Sequence, residues 1–297
     1  MNNNNIYAIV GPTASGKSDL AIRLAKELES VVLSVDSLSV YKEIDIASAK
    51  PTKEEMGDIL HFGIDELYPN MKFDVVKFVE IFQKAKEYAK INEKSLIIVG
   101  GTSFYLKVLQ DGISSMPKIS KHIQDRVESM LIDIKKAYSF LESIDREYAS
   151  KIASNDRYRV QKALEVYFAT NITPSCYFRQ NRPEAIVKDL PIYEIAIDRE
   201  VLRKKIELRS NKMLKMGLID EVAYLEAKYG RAAQSMGAIG IKETLDFLDG
   251  RLSKNQLKSK IITNTARLAK RQVTFNKSQL KVAFRGSVED IYSCIIN

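Results

Sequence analysis

The sequence is poor in the residues that build metal centres and covalent frameworks. Its 297 residues include two cysteines (Cys176 and Cys294), two histidines (His61 and His122) and no tryptophan. Four such ligands, scattered along the chain, do not suggest a tetrahedral zinc site, and two distant cysteines make no disulfide framework. No apolar run approaches the ~20 residues of a membrane-spanning helix. The opening Met1-Asn2-Asn3-Asn4-Asn5 has neither the basic region nor the apolar core of a secretory leader. Thirteen glycines and seven prolines, against 45% hydrophobic and 28% charged residues, exclude collagen-like, low-complexity and wholly disordered chains. Together these absences predict a reduced, cytoplasmic protein with no membrane partner. The length predicts one large α/β domain, or a domain carrying a substantial insertion.

Negative charge is scarce towards the end. Residues 251–297 hold ten Lys/Arg against two Asp/Glu, net +8, whereas 1–111 carry −3 and 112–250 carry +3. A basic end on a near-neutral body fits a polyanion-binding surface and a solvated lysine-rich helix face equally well.

What is present has a clear rhythm. Ile6–Val10, Val31–Val35 and Leu96–Val99 are short apolar runs, as buried parallel strands are. Between them, Ser18–Leu28 and Phe73–Ile91 place apolar residues at helical spacing. This β-α-β-α-β order predicts a parallel sheet with helices on both faces. From Ile119 to Thr170 the spacing is helical without a strand-like run, and Pro174 to Pro183 marks a loop. Tyr193–Ile197 alternates as a returning strand, and helices follow to about Asn276. The expected organisation is an α/β domain from 1–112 and 191–297, with an all-helical insertion at 113–190.

Gly11-Pro12-Thr13-Ala14-Ser15-Gly16-Lys17-Ser18 matches the P-loop pattern G-x-x-x-x-G-K-[ST] in full, after a strand and before a helix. The loop amides and the positive helix end suit phosphate oxygens, Lys17 adds a full charge, and the Ser18 hydroxyl reaches Mg²⁺. A ligand bearing a diphosphate or triphosphate is expected, on a P-loop NTPase-like fold. Two further strand ends place chemistry on the same sheet edge. They are Asp36, after Val31–Val35, and Thr102, after Gly100-Gly101. Either residue alone is as readily a turn or capping residue.

These residues belong to a longer ordered series. It runs through Ser34-Val35-Asp36-Ser37-Leu38-Ser39-Val40-Tyr41, Ala49-Lys50-Pro51-Thr52 and Val99-Gly100-Gly101-Thr102-Ser103-Phe104-Tyr105. It continues with Arg157 to Val166, Ile239-Gly240-Ile241-Lys242-Glu243 and Thr265 to Gln272. The series resembles the tRNA dimethylallyltransferases (tRNA isopentenyltransferases) over nearly the whole chain.

The resemblance implies transfer of a dimethylallyl group from dimethylallyl diphosphate to N6 of the adenosine at position 37, beside the anticodon. Diphosphate is released. Asp36 is implied as the general base and Thr102 as the partner of the bridging oxygen. Lys17, Ser18 with Mg²⁺, and Arg209 would offset the charge of the leaving diphosphate. The implied tRNA contacts are Asp36, Ser37, Leu38 and Ser39, then Thr102, then Arg159, Val160, Gln161, Lys162 and Ala163. Ile239, Gly240, Ile241, Lys242 and Glu243 complete them, with Gln124 at a position where many members have Arg. Another departure is Ala47-Ser48, where Gly-Thr is usual. No C-terminal Cys₂His₂ extension follows, which favours a bacterial form, and a monomer is expected. Tyr41, His61 and Tyr105 could line the crevice or simply pack. The alternatives are an adenylate isopentenyltransferase, a P-loop small-molecule kinase, and a non-catalytic RNA-binding protein. The helical insertion and basic end weigh against the first, and the intact Lys17, Asp36 and Thr102 against the last.

Overall fold

A computed structural model describes residues 5–297. The chain begins with β1 (Ile6–Val10), α1 (Lys17–Glu27), β2 (Val31–Ser34), α2 (Lys53–Met56) and β3 (His61–Phe62). It continues with α3 (Val75–Ile91), β4 (Leu96–Gly100) and α4 (Ser103–Asp111). A helical excursion follows: α5 (Lys121–Met130), α6 (Ile134–Ile144), α7 (Arg146–Ala149), α8 (Arg157–Thr170) and α9 (Pro174–Gln180). The chain returns as β5 (Ile192–Ile195), then α10 (Arg199–Met216), α11 (Leu218–Tyr229), α12 (Ile241–Leu248) and α13 (Lys254–Gln279). It closes with β6 (Phe284–Gly286) and α14 (Val288–Ile296).

All strand pairings are parallel, in the sheet order β3-β2-β4-β1-β5-β6. The apolar runs explain this. β4 is buried throughout, and Ala8, Ile9 and Val10 of β1 are buried too, as strands covered on both faces must be. Leu20, Ala21, Leu24 and Ala25 of α1 pack on Ile9, Val32, Ile97 and Val99 of the sheet. Burial of each large apolar side chain stabilises the fold by roughly 1.5–3 kcal/mol. The sheet thus fixes where β1, β2 and β4 end, and the site lies at those ends.

The chain forms two compact units. One runs to Gln110 and resumes over Val187–Asn297; the other is Asp111–Ile186. The insertion edges expected at 113 and 190 therefore move to 111 and 186. The cause is local: Val187 N–H donates to the Leu109 carbonyl (2.9 Å), and Ala8 N–H donates to that of Pro191 (3.0 Å). Residues 187–190 are thereby tied to the sheet unit. The helical unit has its own core of Val127, Leu131, Leu141, Ala149, Val160, Ala163 and Leu164. Asp145 caps α7 at Tyr148 N–H and also accepts from Ser175 at the start of α9.

The strand expected at 193–197 lies at Ile192–Ile195, and two strands were not foreseen. β3 and β6 have two and three residues, too few to show alternation. Among the described residues no helix is long and apolar enough to cross a membrane.

Candidate active site

The P-loop leaves β1 and enters α1 through a constrained backbone. Gly16 caps α1 at φ 94°, and Ala14, which has a Cβ, is held at φ 65°. Left-handed backbone at a non-glycine residue costs of order 1–3 kcal/mol and persists only where neighbours impose it. Here Ala14 packs with Leu202 and Ile206 of α10 and Ala269 of α13.

Lys17 is buried and donates to the Pro12 carbonyl at 2.7 Å. Burial lowers its ammonium to about 8; Asp36 opposes that shift and the Arg209 charge adds to it. Arg209, on α10, donates to Thr13 Oγ1 and to the Ser48 carbonyl, both at 3.2 Å. Burial lowers its guanidinium too, with Asp36 opposing. The hydroxyl of Ser15, 1% exposed, has no partner among the described residues. Two cations desolvated without a bonded carboxylate, beside an orphaned hydroxyl, form a site suited to an anion.

Asp36 extends from the end of β2. Its Oδ1 accepts from Leu38 N–H (2.9 Å) and Ser39 N–H (3.3 Å), so half of the carboxylate caps the turn that follows. Two glycines confine the backbone behind it. A Cβ on Gly100 would lie 2.2 Å from the Val35 carbonyl oxygen, and one on Gly63 2.5 Å from that of Ser34. Only glycine permits either approach. Thr102 N–H donates to the Val35 carbonyl (3.1 Å), which fastens the end of β4 to the strand end bearing Asp36.

Lys17, Ser18, Asp36, Ser39, Ser48, Lys50, His61, Gly101, Arg209 and Gln272 line one crevice of about 100 Å³. A larger cavity of about 530 Å³ shares Lys17, Ser18, Lys50 and Arg209 and extends past Ser15, Met56, Met213 and Met216. The structure thus gathers Lys17, Ser18, Asp36 and Arg209, as the sequence implied. Thr102 adjoins them through its backbone, but its side chain is not among those lining either cavity. Of the three uncertain residues, His61 lines the crevice. Tyr41 and Tyr105 are buried, and Tyr105 stacks on Phe78 with centroids 4.7 Å apart.

Some expected RNA-contacting side chains prove structural. Val160 and Ala163 are buried in the helical unit's core, and Ile241 is buried in the sheet unit. Glu243 is buried as well; it caps α12 at Gly240 N–H (2.7 Å) and accepts from Asn264 (2.6 Å). A motif match marks a stretch of chain, but helical periodicity turns part of every stretch inward. Lys162 and Gln161 both bond the buried Glu165, and Arg157 donates to the Leu131 carbonyl. Tyr158, Arg159, Lys242 and Gln124 are exposed, and Arg159 pairs with Asp156, three residues before it on the same helix end.

Three positioning side chains escaped the sequence reading. Gln272 of α13 accepts from Thr13 N–H (2.9 Å) and donates to the Gly101 carbonyl (3.0 Å), bridging the P-loop and the loop before Thr102. Lys50 donates to the Tyr41 carbonyl and pairs with Asp45 (2.6 Å) and Asp65 (2.5 Å). Glu221 of α11 accepts from the backbone of residues 45–47. Gln272 and Lys50 both lie in the motif series; the partners of Gln272 are distant in sequence, whereas those of Lys50 are near but follow no periodic spacing.

Comparison with known proteins gives these features a context. The family model described as IPP transferase matches residues 39–279. The tRNA dimethylallyltransferase of Nautilia profundicola is 55% identical, covering 98% of this chain and 99% of that protein. That of Aliarcobacter butzleri is 52% identical, covering 97% of each. Among solved structures, the tRNA isopentenylpyrophosphate transferase of Bacillus halodurans superposes with a TM-score of 0.73 at 29% identity. It covers 98% of this chain and 95% of that one. A eukaryotic dimethylallyltransferase acting on tRNA gives 0.81 at 27% identity, covering 94% of this chain and 74% of that one. A sheet edge that joins a P-loop to a strand-end carboxylate, carried on a sequence this close to its relatives over nearly full length, makes the chain a member of the IPP transferase family.

Proposed function

We propose that this enzyme transfers the dimethylallyl group of dimethylallyl diphosphate to N6 of the adenosine at position 37 of tRNA, releasing diphosphate. The observation that carries the reading is that Lys17 and Arg209 line one crevice with Asp36 without being bonded to it. Lys17, Arg209 and the unpartnered Ser15 hydroxyl bind the donor diphosphate and stabilise negative charge as the allylic C–O bond breaks. Asp36 Oδ1 is committed to the turn, so Oδ2 takes the proton as the adenine amine attacks. The amine needs this help because its lone pair is delocalised into the ring. Thr102, fastened through its N–H to the Val35 carbonyl beside Asp36, is the residue this reading assigns to the bridging oxygen. The adenine must leave the anticodon-loop stack, a flipping cost of order a few kcal/mol.

The donor set also fits Mg²⁺. Ser18 offers one exposed hydroxyl, and no cluster of three or more His, Cys, Asp or Glu suited to a metal occurs among the described residues. Mg²⁺ commonly takes one or two protein ligands and completes its shell with substrate phosphates and water. When bound it would supply further charge to the leaving diphosphate.

Unmodified tRNA, Mg²⁺ and labelled dimethylallyl diphosphate should give N6-dimethylallyladenosine on digestion. Dimethylallyl diphosphate should also raise thermal stability more than ATP does. A larger shift with ATP, together with phosphoryl transfer, would favour a small-molecule kinase instead.

Donor binding should depend on pH through Lys17. Its free ammonium titrates near 8, and a bound diphosphate favours the charged form. Binding therefore takes up a proton above that pH. Affinity should be flat well below 8 and fall by up to about tenfold per unit above it. Calorimetry across pH checks this, and Lys17→Met should flatten the profile.

RNA affinity should fall steeply with salt as phosphate contacts release counterions. Arg159→Ala should reduce the slope by about one unit if it meets one phosphate, with donor binding unchanged. Lys162 suits this test less well, because its removal strips a cation from the buried Glu165. An unchanged slope would mark Arg159 as ordinary solvated charge.

A further inference from the structure

We infer that Glu221 is a positioning residue that sets donor affinity by holding one wall of the crevice. The inference rests on the reading above. On α11, Glu221 Oε2 accepts from Asp45 N–H (2.9 Å) and Ile46 N–H (2.7 Å), and Oε1 from Ala47 N–H (2.9 Å). Successive backbone amides converging on one point form an anion-binding concavity. Here the anion comes from the chain itself, more than 170 residues away.

The next residue carries this constraint to the site. Ser48 Oγ closes the loop on the Ile44 carbonyl at 2.6 Å, and the Ser48 carbonyl accepts from Arg209 at 3.2 Å. Arg209 in turn donates to Thr13 of the P-loop. A continuous relay therefore runs from Glu221 through residues 45–48 to the guanidinium that faces the diphosphate. Both ends are anchored close together, because α10, which bears Arg209, and α11 meet at Gly217 (φ 103°). The same segment lines the larger cavity through Asp45, Ile46, Ala49, Lys50 and Pro51.

Removing the carboxylate leaves three amides without their acceptor and frees the Ser48 carbonyl to turn from Arg209. Lys50 holds the loop's side chains and the Tyr41 carbonyl, not these amides. Glu221→Gln nearly preserves size, but it replaces one accepting oxygen by an NH₂ group facing an N–H.

The test uses the full chain and compares wild type, Glu221→Gln, Glu221→Asp, Arg209→Lys and the Arg209→Lys/Glu221→Gln double variant. Donor KM and kcat are measured with saturating unmodified tRNA, alongside Tm and tRNA affinity. Glu221→Gln should raise donor KM by about tenfold or more, since charge-assisted acceptors are roughly twice as strong as neutral ones. It should lower kcat less than it raises KM, because the lost interaction acts on donor binding. Glu221→Asp, which keeps the charge at shorter reach, should fall between. The double variant should be little worse than Arg209→Lys alone, the non-additivity expected when one residue acts through the other.

A donor KM indistinguishable from wild type, additive effects in the cycle, or a fall confined to Tm would each overturn the inference. If Glu221→Gln does not fold, Glu221→Asp decides by the same KM reading. Failure of the proposed function would look different, since wild type itself would then transfer no prenyl group.

Discussion

Replacing Asp36 by Asn is expected to slow single-turnover transfer by about 10²–10⁴-fold while donor affinity changes little. The structure makes Asn the informative variant. Oδ1 caps Leu38 and Ser39, and an amide oxygen can keep that role. What disappears is the basicity of the second oxygen. Ala would remove the base and the turn cap together and confuse the two. Rapid-quench measurement at saturating donor and tRNA isolates the chemical step. A near-wild-type rate would reduce Asp36 to a turn residue that happens to face the crevice.

Lys17→Ala should have an equally large effect, on binding. Truncating one member of a desolvated, hydrogen-bonded charge pair costs roughly 2–5 kcal/mol, or some 30- to several thousand-fold in donor affinity. The Tm gain produced by dimethylallyl diphosphate should largely vanish. Without ligand the sign reverses. The folded state lowers Lys17 from 10.5 to about 8, so burying this ammonium opposes folding at neutral pH. The ligand-free variant should therefore melt no lower than wild type, and a higher Tm is the expected direction. Binding-site residues often trade stability for function in this way. A variant that still gained full stability from the donor would sink the assignment of Lys17 to the diphosphate.

The sequence made the centre of the site legible because its chemistry is local. The P-loop, Asp36 and the Gly100-Gly101-Thr102 turn each sit at the end of an apolar run, and parallel strands bring such ends to one edge. The supporting residues were not legible. Gln272 meets Thr13 across 259 positions, and Glu221 meets Asp45 across 176. Neither spacing leaves a periodic trace. The stretches expected to meet RNA were legible only as stretches, not side chain by side chain. Arg159 and Lys242 face outward, but Val160, Ala163, Ile241 and Glu243 between or beside them build the cores and caps that display those residues. Two strands were too short for any pattern to reveal.

The two glycines flanking the end of β2 have a consequence for how the protein tolerates change. At Ser34 and Val35 the neighbouring chains touch the strand through bare backbone, with no side chain between them. Repacking of a core normally spreads from one side chain to the next, and here that route is interrupted. Enlarging or trimming apolar residues elsewhere in the sheet should lower the melting temperature yet leave the carboxylate of Asp36 in register with Lys17. Even a single methyl group at 63 or 100 should act in the opposite way, wedging the strand aside and disabling chemistry before stability. The carboxylate of Asp36 should therefore be insulated from most core substitutions and vulnerable at these two points.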